Sequence, residues 1–282
     1  MGNIREIKKT FSAQPTMEGA GVRLKRVFGN PQVPSFDPFL MMDDFGSENP
    51  EDYIAGFPFH PHRGIETITH LVSGTVNHKD SMGNSGAIGP GDVQWMTAGS
   101  GIIHEEMPQV SKPRLHGFQL WANLPASHKM MDPRYQDIGS DQIPETSPME
   151  NVVIKVICGE VGGVKGPVRD IVIDPEYLDI SIGPRSVYDH AVKAGHTVFA
   201  YVFEGEAAFG SGPMQAGGTA VLFEDGESVR IETGESPIRF LLISGRPIGE
   251  PIAWYGPIVM NTREEIQTAF EEYRSGGFIK KK

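Results

Sequence analysis

Residues 57–78 read FPFHPHRGIETITHLVSGTVNH. β-Branched and aromatic residues crowd this stretch, and Gly64 and Gly74 punctuate it, so it predicts short strands joined by turns rather than a helix. His60 and His62 stand one residue apart. In an extended chain alternate side chains leave the same face, so both imidazoles project together. Downstream, GIIHEEMP (101–108) repeats the spacing with His104 and Glu106, while Glu105 between them points the other way. Two such pairs on two strands can converge on one ion.

The same extended signals recur along the chain. DVQWMTA (92–98), HGFQLWANL (116–124), NVVIKVICGEV (151–161), HTVFAYVFEGEAAF (196–209), GTAVLFEDGESVRIET (218–233) and SPIRFLLISG (236–245) are β-rich runs bounded by Gly, Pro, Asp or Asn. Helical spacing appears near Pro125–Met131 and again over Asn261–Arg274. In the second, Asn261 or Thr262 caps, Glu264 and Glu265 fill the first turn, and Ile266, Ala269, Phe270 and Tyr273 form an apolar stripe. Asp132–Glu150, with three prolines and few large apolar residues, predicts a connector. THLVSGTV (69–76) weakly resembles AYVFEGEA (200–207), each followed by a Gly-rich turn and another strand. The expectation is an all-β protein of two barrels, 1–133 and 134–282, with a short C-terminal helix packing back on the body.

Composition narrows the function classes. Twenty-five basic against 36 acidic residues leave a net charge of -11, which repels phosphate backbones, so direct nucleic-acid binding is not expected. No run approaches the roughly 18 apolar residues of a membrane span. The single cysteine, Cys158, lies in an apolar strand and predicts a reducing compartment. Position 6 is Glu where myristoylation after Gly2 would want Ser or Thr, and Lys280-Lys281-Lys282 is too short for a targeting patch. A cytoplasmic monomer is expected, with the nucleus open to a eukaryotic chain. Gly83-Asn84-Ser85-Gly86 and Gly89-Pro90-Gly91-Asp92 read as turns, since neither precedes a helix. No Gly-x-Ser-x-Gly elbow occurs.

Three imidazoles and a carboxylate match no closed, cysteine-rich zinc site. They suit an open centre for iron, manganese, copper or nickel with two exchangeable positions. FPFHPHRGIETITHLVSG, GPGDVQWMTAGSGIIHEEMP, HGFQLWANLP and GPIVMNTREEIQTAFEEYRSGGF resemble the signature segments of the pirin family of the cupin superfamily, a likeness running from about Val22 to Phe278. The resemblance implies a bicupin whose N-terminal barrel holds one metal ion through His60, His62, His104 and Glu106, with a metal-free second barrel. Fe(II) is the first expectation, with Mn, Ni, Cu and Zn as alternatives.

In cupins generally the first-motif glutamate is a ligand. That makes Glu66 a competitor for the fourth position, whereas the pirin pattern selects Glu106 and leaves Glu66 to pair with Arg63 or with a ligand imidazole. Aligning the two halves sets Ala191, Lys193, Ile231 and Thr233 opposite the four ligands, and none of them is a usual ligand. His190 and His196 are read as structural, and Trp95, Met96, Phe118, Leu120 and Trp121 as barrel packing, some of it open to the pocket. The resemblance implies dioxygenase action on a flavonol such as quercetin, with O2 as co-substrate and Glu106 as catalytic base. Its alternative is an iron-dependent regulatory protein that binds transcriptional or metabolic protein partners.

Overall fold

The computed structural model of the chain describes residues 3–280; the readings of Gly2 and of Lys281 and Lys282 fall outside them. Strands account for 51% of the described residues and helix for 7%, in line with an all-β architecture. The strands up to residue 138 are β1 (Ile7–Ser12), β2 (Gln14–Glu18), β3 (Val22–Phe28), β4 (Phe39–Phe45), β5 (Phe57–His62), β6 (Ile65–Ser73), β7 (Val76–Asp80), β8 (Ser85–Ile88), β9 (Val93–Thr97), β10 (Ile102–Pro108), β11 (His116–Asn123) and β12 (Arg134–Ile138).

Two compact units divide the chain, and a single cut at 133/134 does not describe them. One comprises Gln14–Ser35, Phe39–Ser140 and Ile248–Lys282; the other comprises Met1–Ala13, Phe36–Pro38 and Asp141–Pro247. The expected connector begins with a strand, because Arg134–Ile138 pairs antiparallel with Val93–Thr97, which carries the boundary to 140. At the N-terminus, β1 pairs with Thr219–Phe223 and so belongs with the later unit.

In the first unit, one sheet runs β12-β9-β6-β11-β4-β3-β2 and a second runs β5-β10-β7-β8. Leu24, Phe45, Leu71, Val76 and Leu115 form one apolar cluster, and Leu40, Ile65, Met96, Ile102 and Val259 form another. The terminal segment packs here. Helix α1 (Arg263–Ser275) starts at a Thr262–Glu265 capping box and ends at Gly276 in the left-handed conformation. It buries Ile266 and Ala269 against Ile258, Met260 and Phe278; Phe270 is partly covered, and Tyr273 is exposed but meets Phe278 edge-on.

Arg63, directly after the His60-Pro61-His62 triplet, is the anchor for that tail. Its guanidinium donates to the Ser100 and Phe278 carbonyls, pairs with Glu272 at 2.7 Å and lies over the Phe278 ring. The expected partnership of Arg63 with Glu66 is therefore not made: Arg63 is occupied by the C-terminal segment, and Glu66 accepts from Thr97. Gly64 has φ 78°, and a Cβ there would fall 2.0 Å from the Val259 carbonyl oxygen, so the turn after His62 must be glycine for the tail to approach. Lys129 spans the same junction, its three ammonium protons going to Gly64 O, Val259 O and Asn123 Oδ1, and burial pulls its pKa down to about 8.

Pro125–Met131, expected as helical, makes a single turn. Lys129 N bonds to Pro125 O, and the backbone does not continue, because Met131 O is taken by Ser100 N and the chain enters β12 past Pro133.

The second unit is organised by Thr197–Phe209, a strand longer than the expected 5–8 residues, which pairs with both Thr219–Phe223 and Ile238–Gly245. Its interior is filled by one continuous apolar cluster that includes Val156, Leu178, Ile180, Val202, Phe209, Ile231 and Phe240. Cys158 is buried on its strand, as expected, with its Sγ 3.7 Å from the Val168 carbonyl oxygen.

Candidate metal centre

Strand alternation delivers the first geometry. β10 alternates buried and half-buried residues, with Ile102, His104 and Glu106 inward, while Glu105 faces Lys79 across the strand pair. His104 sits opposite His60 in register with β5. Ring centroids are 4.8 Å apart for His60–His62, 4.5 Å for His60–His104 and 5.1 Å for His62–His104. One ligand atom from each of the three lies within 4.8 Å of the others.

The hydrogen bonds decide what such a cluster can hold. His60 Nδ1 is 2.9 Å from the Pro58 carbonyl and His62 Nδ1 is 3.2 Å from the Pro257 carbonyl. A carbonyl only accepts, so both Nδ1 atoms carry the proton. In the neutral rings both Nε2 atoms are then bare lone pairs, and they face each other at 3.0 Å. Protonating a ring would relieve this contact, yet burial pushes the His60 pKa down and holds that of His62 well below the ordinary value. His104 is 1% exposed, and neither of its ring nitrogens has a hydrogen-bond partner. Burial holds its pKa well down too, with His62 and His60 adding to the effect. Lone pairs aimed at one another, and unpaired buried nitrogens beside them, fit a cation ligated by neutral imidazoles.

Glu106 does not join the histidines at that spacing. It stands two residues along β10 on the same inner face, past a register shift between His104 and Glu106, and Thr69 Oγ1 lies 3.1 Å from its Oε1. Burial pushes its pKa up to about 7, with Thr69 pulling the other way. Glu66 lies elsewhere. Thr69 points into the cavity, so on β6 Glu66 belongs to the opposite face, where it is fully buried, accepts from Thr97 Oγ1 and has its pKa raised by burial.

His60 and His62 open onto a cavity of about 580 Å³. Leu24, Met41, Phe45, Phe57 and Val76 supply apolar wall, and Trp121, read as packing with some opening to the pocket, lies edge-on to His62 with Trp254 behind it. A polar row crosses this wall, unforeseen from sequence. Arg26 grips Asp43 through two 2.8 Å bonds and reaches Glu18 at 3.0 Å; Gln119 stands in register between Asp43 and Thr69. Spacing within one segment could not have found it, since its members come from β3, β4, β11 and β6.

Comparison with known proteins places this arrangement. The Pirin family profile matches residues 21–122 and that of the pirin C-terminal cupin domain matches 177–279. A pirin-like protein of Caulobacter vibrioides is 43% identical over 98% of this chain and 99% of its own. The chain belongs to the pirin family. Pirin of Homo sapiens is 40% identical, covering 98% of this chain and 94% of that one. Among solved structures, quercetin 2,3-dioxygenase from Acinetobacter baumannii superposes with a TM-score of 0.89 at 31% identity, covering 98% and 99% of the two chains. The two-domain cupin architecture of pirins is thus the architecture here, and the three-histidine cluster stands in the pirin profile's first domain.

Proposed function

We propose that this protein is a metal-dependent dioxygenase that opens a flavonol such as quercetin with O2, releasing carbon monoxide and a depside. The observation that carries the reading is the pair of opposed Nε2 lone pairs of His60 and His62 beside the unpaired His104, at the wall of a cavity with apolar and aromatic faces. The name of the Acinetobacter relative supports the substrate class.

In this reading His60, His62, His104 and Glu106 hold one divalent ion, iron first. When bound, the ion supplies a Lewis acid and a one-electron centre for an enolic hydroxyl and for dioxygen. The chain's own residues do the rest. The Pro58 and Pro257 carbonyls fix the tautomers of His60 and His62, so each presents Nε2. Trp121, Met41 and Phe45 give a flat aromatic ligand an apolar bed and exclude water. Glu106, held at Oε1 by Thr69, would serve as the base for an enolic hydroxyl by swinging its other oxygen off the ion to take the proton.

Oxygen uptake and carbon monoxide release on adding quercetin to iron-loaded protein test the reading; absence of both with quercetin and related enols defeats it. A second reading, a partner-binding regulator that senses the iron oxidation state, draws on the exposed Phe59 and Tyr255, whose chain neighbours line the cavity. Oxidation-dependent capture of a protein partner would favour it. A cytoplasmic monomer belongs to either reading. Among the described residues no helix is long and apolar enough to cross a membrane.

A further inference from the structure

Glu106 needs a reason to turn toward the histidines, and the polar row provides one. Thr69 Oγ1 lies 2.6 Å from Gln119 Oε1 and 3.1 Å from Glu106 Oε1. A hydroxyl has one proton, so it cannot donate fully to two acceptors. If Glu106 is an anionic ligand it can only accept, and the Thr69 proton must go to it. Gln119 must then offer its amide N–H to Thr69, with the side-chain amide turned about its end; the oxygen and nitrogen of an amide occupy nearly interchangeable positions, and the network decides between them.

We propose that Thr69 and Gln119 are positioning residues for Glu106: the Gln119 amide donates to the Thr69 hydroxyl, the hydroxyl donates to Glu106 Oε1, and this pins one carboxylate oxygen so that the other is aimed at the metal. The scaffold for such a relay is rigid. Thr69 is 2% exposed, in the middle of β6, and Gln119 is its cross-strand partner on β11. On the far side of Gln119, Asp43 is locked by the bidentate Arg26 contact. Thr69 is also β-branched, so its hydroxyl has few directions available in a strand.

The inference rests on the metal-centre reading above, and cobalt(II) titration of metal-free protein, followed by its visible spectrum, separates the two. Wild-type protein that takes up no cobalt(II) would defeat the metal reading itself. Given uptake by wild type, Thr69→Val, nearly isosteric but without the hydroxyl, should bind cobalt(II) 10–100-fold more weakly and shift its ligand-field bands, whereas Thr69→Ser should stay within about threefold of wild type. Gln119→Leu should have a smaller effect, because Thr69 keeps its donor to Glu106. The double variant Thr69→Val/Gln119→Leu should be no worse than Thr69→Val alone, since Gln119 acts through Thr69. Wild-type binding in Thr69→Val, equal loss in Thr69→Ser, or additive losses in the double variant would each overturn the proposal.

Discussion

His190 of the second unit and His104 of the first are both buried on barrel strands, and they have opposite hydrogen-bond fates. Tyr188 Oη lies 3.1 Å from His190 Nδ1, and His190 Nε2 lies 2.9 Å from Glu176 Oε2, so both ring nitrogens are taken by the protein. Both nitrogens of His104 are left without a partner. The surroundings differ in the same way. Of the positions aligned with the ligand set, Ile231 is part of the apolar core, Lys193 pairs with Asp174, and Thr233 bonds to Gly183 O. One unit fills its interior with apolar side chains and commits both nitrogens of His190; the other keeps a cavity, a polar row and the two unpartnered nitrogens of His104. A histidine's burial says little about ligation, and the decisive fact is whether its lone pairs are already committed.

The sharpest way to break this comparison is to remove one ligand. His62→Ala should drop metal content, read by elemental analysis, from about one ion per chain to background while the far-ultraviolet circular dichroism stays native. Unchanged loading would dissolve the contrast between the two units. The reverse experiment removes core. Phe240 is fully buried and meets Phe209 edge-on, so Phe240→Ala should cost about 3–5 kcal/mol in denaturant unfolding of the second unit, with metal stoichiometry intact at low temperature. A loss below about 1 kcal/mol would mean that interior is not close-packed.

The smallest effect concerns Glu106. Its folded pKa of about 7 lies above the ordinary 4.5, so between those values the folded, metal-free protein keeps a proton that the unfolded chain releases. Stability from this group is therefore lost as pH rises through that window, whereas the histidines, with lowered folded values, act in the opposite direction. Comparison with Glu106→Gln isolates the carboxyl. Relative to that variant, metal-free wild type should lose roughly 1–3 kcal/mol between pH 5 and 8, and bound metal should abolish the trend. A difference that does not vary with pH would show that the carboxyl is not desolvated in the metal-free protein.

Much of the site was legible because it is local. The inward set His60, His62, His104 and Glu106 follows from period-two alternation within two short segments. Arg26, Asp43, Gln119 and Thr69 were not legible, because their adjacency is set by strand registers between residues 17 to 76 apart. Trp254 and Pro257 were hidden more deeply: 195 residues separate Pro257 from His62, and no pattern in either segment announces the meeting. The domain boundary was missed for a related reason. Arg134–Ile138 looks like polar connector, and only pairing with β9 makes it a strand.

The splitting of each unit along the chain bears on the order in which a ribosome could finish them. By residue 140 all the strands of the first unit's two large sheets have been made, but the carbonyl that orients His62, the Val259 carbonyl that holds Lys129 and the tail that neutralises Arg63 come after residue 247. β1, conversely, must wait for Thr219–Phe223 before it has a partner. Such long-range closures are slow, and they leave an early barrel with a loosely held histidine strand during synthesis. The geometry of the histidine cluster is then among the last features to mature, and an ion held there as proposed would be taken up only after residues 257–278 have been made.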